Sequence, residues 1–494
     1  MQSLILHCVA ACKIKQMKTN QNWNIKNSYT KLPSKLYSEQ FPEKAINPKI
    51  IYFNSNLALE LGLEFLSETE VLNYFSGNKI PEKTTPIAQA YAGHQFGHFT
   101  VLGDGRAVLI GEQITPKNMR YDIQLKGSGK TPYSRQGDGK ATLSSILREY
   151  IISEAMFNLG ISTTRSLAVI ATGEKVYRDQ INNGAILTRI SSSHIRCGTF
   201  EFARNFCSKD DLEVFIKYVI DRHYPQIANT ENPTLELFEL VMIKQIDLIV
   251  NWMRVGFIHG VMNTDNMSIA GETIDYGPCS FMNTYNPNTV FSSIDRNGRY
   301  SFGNQPKIAH WNLMILANTL IPIVSGNEKK SIELIKEKLN KFSSIFTNRW
   351  YDMMCKKIGI LKPIEEDKLL VDSLLKLMEN YKADYTNTFA ALSLNVDSND
   401  TLFTSNELKK WKKQWEGRID SQNKAFELMQ TQNPLVIPRN HLVELALENS
   451  INKNFNEFDD LLDLVSKPYD YKSNYTFQAV PDGFDDSYKT FCGT

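Results

Sequence analysis

A chain of 494 residues has room for two or three packed units, at roughly 150 residues per domain. Its 42% hydrophobic and 22% charged residues are those of an ordinary globular protein. Lys and Arg number 55 against 54 Asp and Glu, a net charge of +1, and this balance argues against a general nucleic-acid binder.

The first residues, Met1 to Cys12, have the apolar character of a signal peptide but no basic lead-in and no small-residue cleavage site, and Met17 is an equally good start. The seven cysteines (8, 12, 197, 207, 279, 355 and 492) form no Cys-x-x-Cys pair and no zinc spacing. Such a scattered, odd set suits a reducing compartment, so a cytoplasmic location is expected. No run of about 18 uncharged apolar residues occurs, so no membrane span or membrane partner is expected.

In chain order, residues 98–113 read as two apolar strands around the Gly103-Asp104-Gly105 turn, a hairpin signal. Residues 120–127 alternate as a third strand, and a Gly/Ser/Pro-rich loop runs from Gly127 to Gly139. Leu143, Ile146, Leu147, Tyr150, Ile151 and Phe157 recur at helical spacing, with Gly160 as the stop. Segments 165–172 and 184–191 are again β-rich. Beyond about residue 210 the pattern turns helical, with apolar stripes at 212–225, 234–256, 309–324, 329–347, 366–381 and 405–418. In the last of these, the lysines around Trp411 and Trp415 read as a solvated face over buried tryptophans, not as a nucleic-acid patch. Loop-rich stretches interrupt at 258–283 and 287–305, and the polar 465–494 is expected to wrap the surface as a tail.

The β-rich half places four parts in order: a glycine turn (Gly103, Gly105, Arg106), a strand lysine (Lys126), a helix glutamate (Glu149), and then the helices. Protein kinases hold ATP with such a set. Glycine lets backbone N–H groups approach phosphate, the lysine touches phosphate oxygens, and the glutamate fixes the lysine. Downstream, His259 to Asn266 resembles a catalytic loop, and Asp275-Tyr276-Gly277 stands where kinases carry Asp-Phe-Gly. Asn266 and Asp275 are oxygen ligands of the kind Mg²⁺ takes. Each part alone is weak; a Gly-x-Gly is commoner in plain turns, and the third glycine of the kinase loop is replaced by Val108.

Longer motifs carry a closer resemblance. Gln89-Ala90-Tyr91-Ala92-Gly93-His94-Gln95-Phe96-Gly97, Gln124 to Arg135, His259 to Ser268, Ser292 to Tyr300 and Pro438-Arg439-Asn440-His441 resemble the selenoprotein O family from about residue 25 to the tail. The resemblance implies an α+β, protein-kinase-like two-lobe fold that AMPylates, or also UMPylates, protein Ser, Thr or Tyr hydroxyls. ATP would be the substrate, Mg²⁺ or Mn²⁺ the cofactor and target proteins the partners. The expected division is an arm at 1–45, partly disordered, a β-rich nucleotide-binding lobe at 46–205, a helical lobe with metal-binding loops at 206–345, and a helical extension with tail at 346–494. It also implies nucleotide contacts at Gly103, Gly105, Arg106, Lys126, Asp138, Gly139, Arg189, Arg196 and Asp275, metal ligands at Asn266 and Asp275, and a catalytic base at Asp265. The resemblance also places Cys492 where some family members carry selenocysteine or a redox cysteine, but Phe291, Ser292 and Ser293 stand where it implies the pairing thiol.

One departure from phosphotransferases is visible in the residues. Kinases place a proton-accepting carboxylate two residues after the loop histidine, and here that residue is Val261. Arg189 and Arg196 stand outside the usual kinase set. They suit the expulsion of pyrophosphate, because arginine grips phosphate bidentately. Asp265 is either the base or a group orienting Asn266 beside it. Three readings stay open: AMP transfer, a nucleotide-binding scaffold without activity, and an orthodox phosphotransferase using Asp265.

Overall fold

The computed structural model describes residues 23–178, 180–398, 400–419, 421–472 and 477–491. The apolar start, Met17, Cys8, Cys12 and Cys492 lie outside these residues. The class is α+β, with one large antiparallel sheet and many helices.

The strands are β1 (Ile25–Lys26), β2 (Tyr37–Glu39), β3 (Lys49–Phe53), β4 (Ile87–Gln89), β5 (Ala92–Gln95), β6 (His98–Val101), β7 (Ala107–Ile114), β8 (Arg120–Lys126), β9 (Ala141–Thr142), β10 (Arg165–Tyr177), β11 (Ile181–Ser191), β12 (Phe257–Ile258) and β13 (Ser280–Phe281). The main sheet runs β2-β4-β7-β8-β11-β10-β3, with β1 added on β7 and β9 on β11. Ile25–Lys26 and Tyr37–Glu39, within the stretch expected as an arm, are therefore strands of this sheet.

Period-two alternation sorts the side chains of the central strands to two faces. Ile123, Leu125, Val108, Ile110 and Ile186 pack under helices α1 (Ser55–Leu61) and α2 (Glu68–Phe75). On the opposite face Leu109, Val169 and Leu187 meet Ile146, Leu147 and Ile151 of α3 (Leu143–Asn158). Each such side chain, fully buried, contributes about 1.5–3 kcal/mol. Thr142 caps α3 by accepting from the Ser145 N–H at 3.2 Å, and Gly160 ends the unit at φ +74°.

The helical half comprises α4 (Cys197–Phe206), α5 (Lys209–His223), α6 (Pro233–Arg254), α7 (Gln305–Val324), α8 (Glu328–Leu339) and α9 (Phe342–Lys357), followed by helices from Asp367 to Ser466. Asn232 caps α6, accepting from the Leu235 N–H, and Pro233 opens its first turn. Among the described residues one helical stretch, Phe302–Val324, is long and apolar enough by length and composition to cross a membrane. Half of it is buried and it packs on α6, as a core helix does.

Three sequence expectations change. Residues 98–113 are not one hairpin: β6 pairs with β5, and β7 pairs with β8. The turn between them is pinned instead, with the Asp104 carboxylate accepting from Gln89 N at 3.1 Å and Gln124 Nε2 at 3.2 Å. The stripe at 329–347 is two helices, because Lys341 N bonds back to Lys338 O and tightens the chain between α8 and α9. The tail does more than wrap the surface. Thr490 is 3% exposed, pairs with Ser292 and donates its hydroxyl to Pro278 O at 2.8 Å.

Candidate active site

The register of β8 and β11 builds the first half of the site. Lys126 lies opposite Leu187 and Gln124 opposite Arg189, so both cations project from the face that α3 covers. Glu149 of α3 meets them there, 2% exposed. One of its oxygens accepts from Lys126 Nζ at 2.5 Å, and the other accepts from Arg189 Nε at 2.7 Å and also from Arg189 Nη2. Burial would raise the Glu149 carboxyl, but Arg189 and Lys126 outweigh it and hold the group ionised below its ordinary range.

The second half comes from loops of the helical part. Asp275 adopts φ +68°, a left-handed conformation uncommon for aspartate, and accepts from Lys126 Nζ at 2.6 Å. Burial is again outweighed, by Lys126, Arg106 and Arg189, and Asp275 stays well below the usual carboxylate range. Asp265 and Asn266 lie in the short turn Thr264–Asn266 that follows β12. The Asn266 amide donates to Val261 O at 3.0 Å, which leaves its Oδ1 for the cavity that the residue lines.

Asp265 has the opposite character. Its Oδ1 is buried without a partner, and burial, opposed by Arg196, pushes the carboxyl up to about 6. Arg196 donates to Asp265 O at 3.2 Å and to His194 O at 3.3 Å, and its guanidinium lies 4.3 Å from the centre of the Tyr91 ring. The segment around it is stitched to the same loop by Cys197 N to Met267 O (2.9 Å) and Ile269 N to Ile195 O (3.0 Å).

One cavity is lined by Gly105, Arg106, Lys126, Arg189, Arg196, Asp265, Asn266 and Asp275, which joins eight of the residues singled out by sequence, with Glu149 directly behind. Gly103, Asp138 and Gly139 do not line it. Gly103, at φ +144°, leaves space for the Tyr133 ring: a Cβ there would stand 2.6 Å from Tyr133 Cδ1. Asp138 accepts two bonds from Arg178, both at 2.9 Å, and Gly139 passes too close to Gly129 for any side chain. Tyr91 and Asp104 line the cavity too and carried no expected role. Asp104 is a buried carboxylate raised by its burial, with Arg196 opposing from 3.6 Å. An aspartate inside the glycine turn and a tyrosine inside the Gln89–Gly97 run were the available signals.

The donor set fits a hard divalent cation of the Mg²⁺ type. The Asn266 amide and the Asp275 carboxylate are oxygen donors whose residues line one cavity, and Asp265 lines it beside them. Among the described residues no group of three or more His, Cys, Asp or Glu forms a metal cage. Few protein ligands with substrate phosphates and waters completing the shell is how Mg²⁺ is commonly held. The histidines do other work: His259 Nε2 bonds Ile274 O at 3.0 Å, and His94 Nδ1 lies 2.5 Å from Glu201.

Known proteins resemble this chain along nearly its whole length. A family described as "Protein adenylyltransferase SelO" matches residues 19–466. A Clostridium perfringens protein (strain SM101) is 50% identical over 487 residues, covering 97% of this chain and 99% of its own. Proteins of Clostridium botulinum (strain Alaska E43) and Bacillus mycoides (strain KBAB4) are each 51% identical, over 98% and 96% of this chain and all of theirs. All three are named protein nucleotidyltransferase YdiU.

Proposed function

The chain belongs to the SelO family of protein adenylyltransferases and is an enzyme of nucleotidyl transfer; from that premise we propose that it moves AMP from ATP to Ser, Thr or Tyr hydroxyls of other proteins, with pyrophosphate leaving. The observation that carries this reading is the pairing of Val261 with Asp265. Two residues after His259 stands a buried valine, which accepts no proton, while four residues further on Asp265 lines a cavity walled by four cations.

In this reading ATP lies with its α-phosphate beside Asn266 and Asp275 and its β and γ groups toward Lys126, Arg189 and Arg196. Held in place before the substrate arrives, these cations stabilise the leaving charge without reorganising. Mg²⁺ or Mn²⁺, held by Asn266 and Asp275, would neutralise charge on the transferred group. Asp265 takes the acceptor's proton as its oxygen attacks the α-phosphorus and the bond to the bridging oxygen breaks. Asp138 and Gly139 are proposed to meet the outer end of the nucleotide. In support, their loop covers the glycine turn, where Ser134 Oγ donates to Gly105 O.

The proposal includes a kinase-like division into a β-rich lobe at 46–205, a helical lobe at 206–345 and an extension at 346–494. Supporting the division after 205, every strand of the main sheet precedes residue 192 and the cavity draws residues from both sides of that point, although β1 and β2 carry the sheet into the stretch before residue 46. It also includes a cytoplasmic location, supported by free thiols at Cys197, Cys207, Cys279 and Cys355.

The test is incubation with protein targets, Mg²⁺ or Mn²⁺, and ATP labelled at the α- or the γ-phosphate. Protein label from the α position alone is expected. Label from γ alone would make the enzyme a kinase and overturn the reading.

A further inference from the structure

No hydrogen bond holds Asp265 Oδ1 among the described residues, yet a proton acceptor must hold one direction. What fixes it is shape. The carboxylate occupies the space that a side chain on Gly93 in β5 would need: an added Cβ would stand nearest to Asp265 Oδ1, 2.8 Å from Cγ and 2.9 Å from Cβ. Real side chains do not approach so closely. Gly93 is not among the glycines at positive φ, so its backbone conformation does not call for glycine; the close approach does.

The hairpin of β5 and β6 is itself held against that loop. His94 N donates to Thr264 Oγ1 at 2.8 Å, and Phe96 N donates to Asn263 Oδ1 at 3.1 Å. Both acceptors immediately precede Asp265. Tyr300 OH donates to the same Asn263 oxygen at 2.6 Å. From behind, Gly198 in the first turn of α4 comes too close to Ala92 for any side chain, and Glu201 of α4 grips His94. The hairpin has no slack in either direction, and β5 and β6 contribute nothing to the lining of the nucleotide cavity.

We propose that Gly93 is a positioning residue for AMP transfer: through the hairpin it sets the direction of the Asp265 carboxylate without touching ATP. The proposal rests on Asp265 as the proton acceptor. Its test is the set Gly93→Ala, Asp265→Ala and the two combined, read by initial rate and by ATP affinity from calorimetry. Gly93→Ala should lower kcat about tenfold or more with ATP Kd within about twofold, since a displaced catalytic group costs rate, not ground-state binding. In the Asp265→Ala background the same change should cost less than about twofold, because the carboxylate it displaces is gone.

Wild-type activity in Gly93→Ala, or a full multiplied loss in the double variant, would overturn the proposal. High activity in Asp265→Ala alone removes the premise, and Gly93 then has no carboxylate to act through. If Gly93→Ala does not fold, a folded double variant still ties the defect to Asp265, and an unfolded one overturns the proposal. Thr264→Val should lower kcat several-fold at unchanged ATP affinity, and Thr264→Ser should restore it; no such recovery would count against the hairpin contact.

Discussion

Lys126 Nζ donates to Glu149 at 2.5 Å, and the same carboxylate holds Arg189 through its second oxygen. One buried anion thus fixes two cations from neighbouring strands. Glu149→Ala should therefore weaken ATP binding at least as much as Lys126→Ala. It should also destabilise the fold by about 3–5 kcal/mol, the usual cost of stranding buried charge. The losses in Lys126→Ala/Glu149→Ala should be less than additive; calorimetry and urea unfolding measure both quantities.

Asp275→Ala should reduce transfer by well over tenfold with the fold retained. The substitution removes a proposed metal ligand and one of the two carboxylates that fix Lys126. Rates with α-labelled ATP at saturating Mg²⁺ check this, and activity above roughly a tenth of wild type contradicts the ligand role.

Arg189→Ala and Arg196→Ala should weaken ATP by about 1–3 kcal/mol and AMP much less, because AMP lacks the β and γ groups. Arg196→Lys should not rescue, since an ammonium cannot both stack on Tyr91 and reach two carbonyls as the guanidinium does. Equal losses for ATP and AMP in calorimetry would contradict the proposed nucleotide orientation.

Asp122 gives a pH prediction remote from the chemistry. Burial would raise it, but Arg222 at 2.6 Å and His194 at 3.1 Å hold it well below its ordinary range. A depressed carboxyl contributes stability that is complete above the unfolded value, about 3.9, and is lost as pH falls below it. Asp122→Asn should be less stable at pH 7 and lose less than wild type between pH 5 and pH 3. Urea midpoints at those three values test it.

Much of this site is legible in the sequence alone. Lys126, Glu149, Asn266 and Asp275 follow from residue type and order, and α3 from its spacing and cap. The Arg189–Glu149 bond was not legible, because it depends on which strand lies beside β8, a long-range choice that local pattern does not encode. The false hairpin at 98–113 fails for the same reason: two apolar runs flank a glycine turn, yet each finds a different partner. The need for glycine at position 93 is equally hidden, since its cause is a carboxylate 172 positions away.

The stitching of 195–197 to 267–269 has a mechanical consequence. Arg196, proposed to grip the departing end, and Asp265, proposed to receive the proton, hang from one continuous piece of hydrogen-bonded backbone, and the arginine also clasps the Asp265 carbonyl. A shift of the β8 strand that carries Lys126 would leave the spacing between Arg196 and Asp265 untouched, because that spacing is set inside one stitched segment.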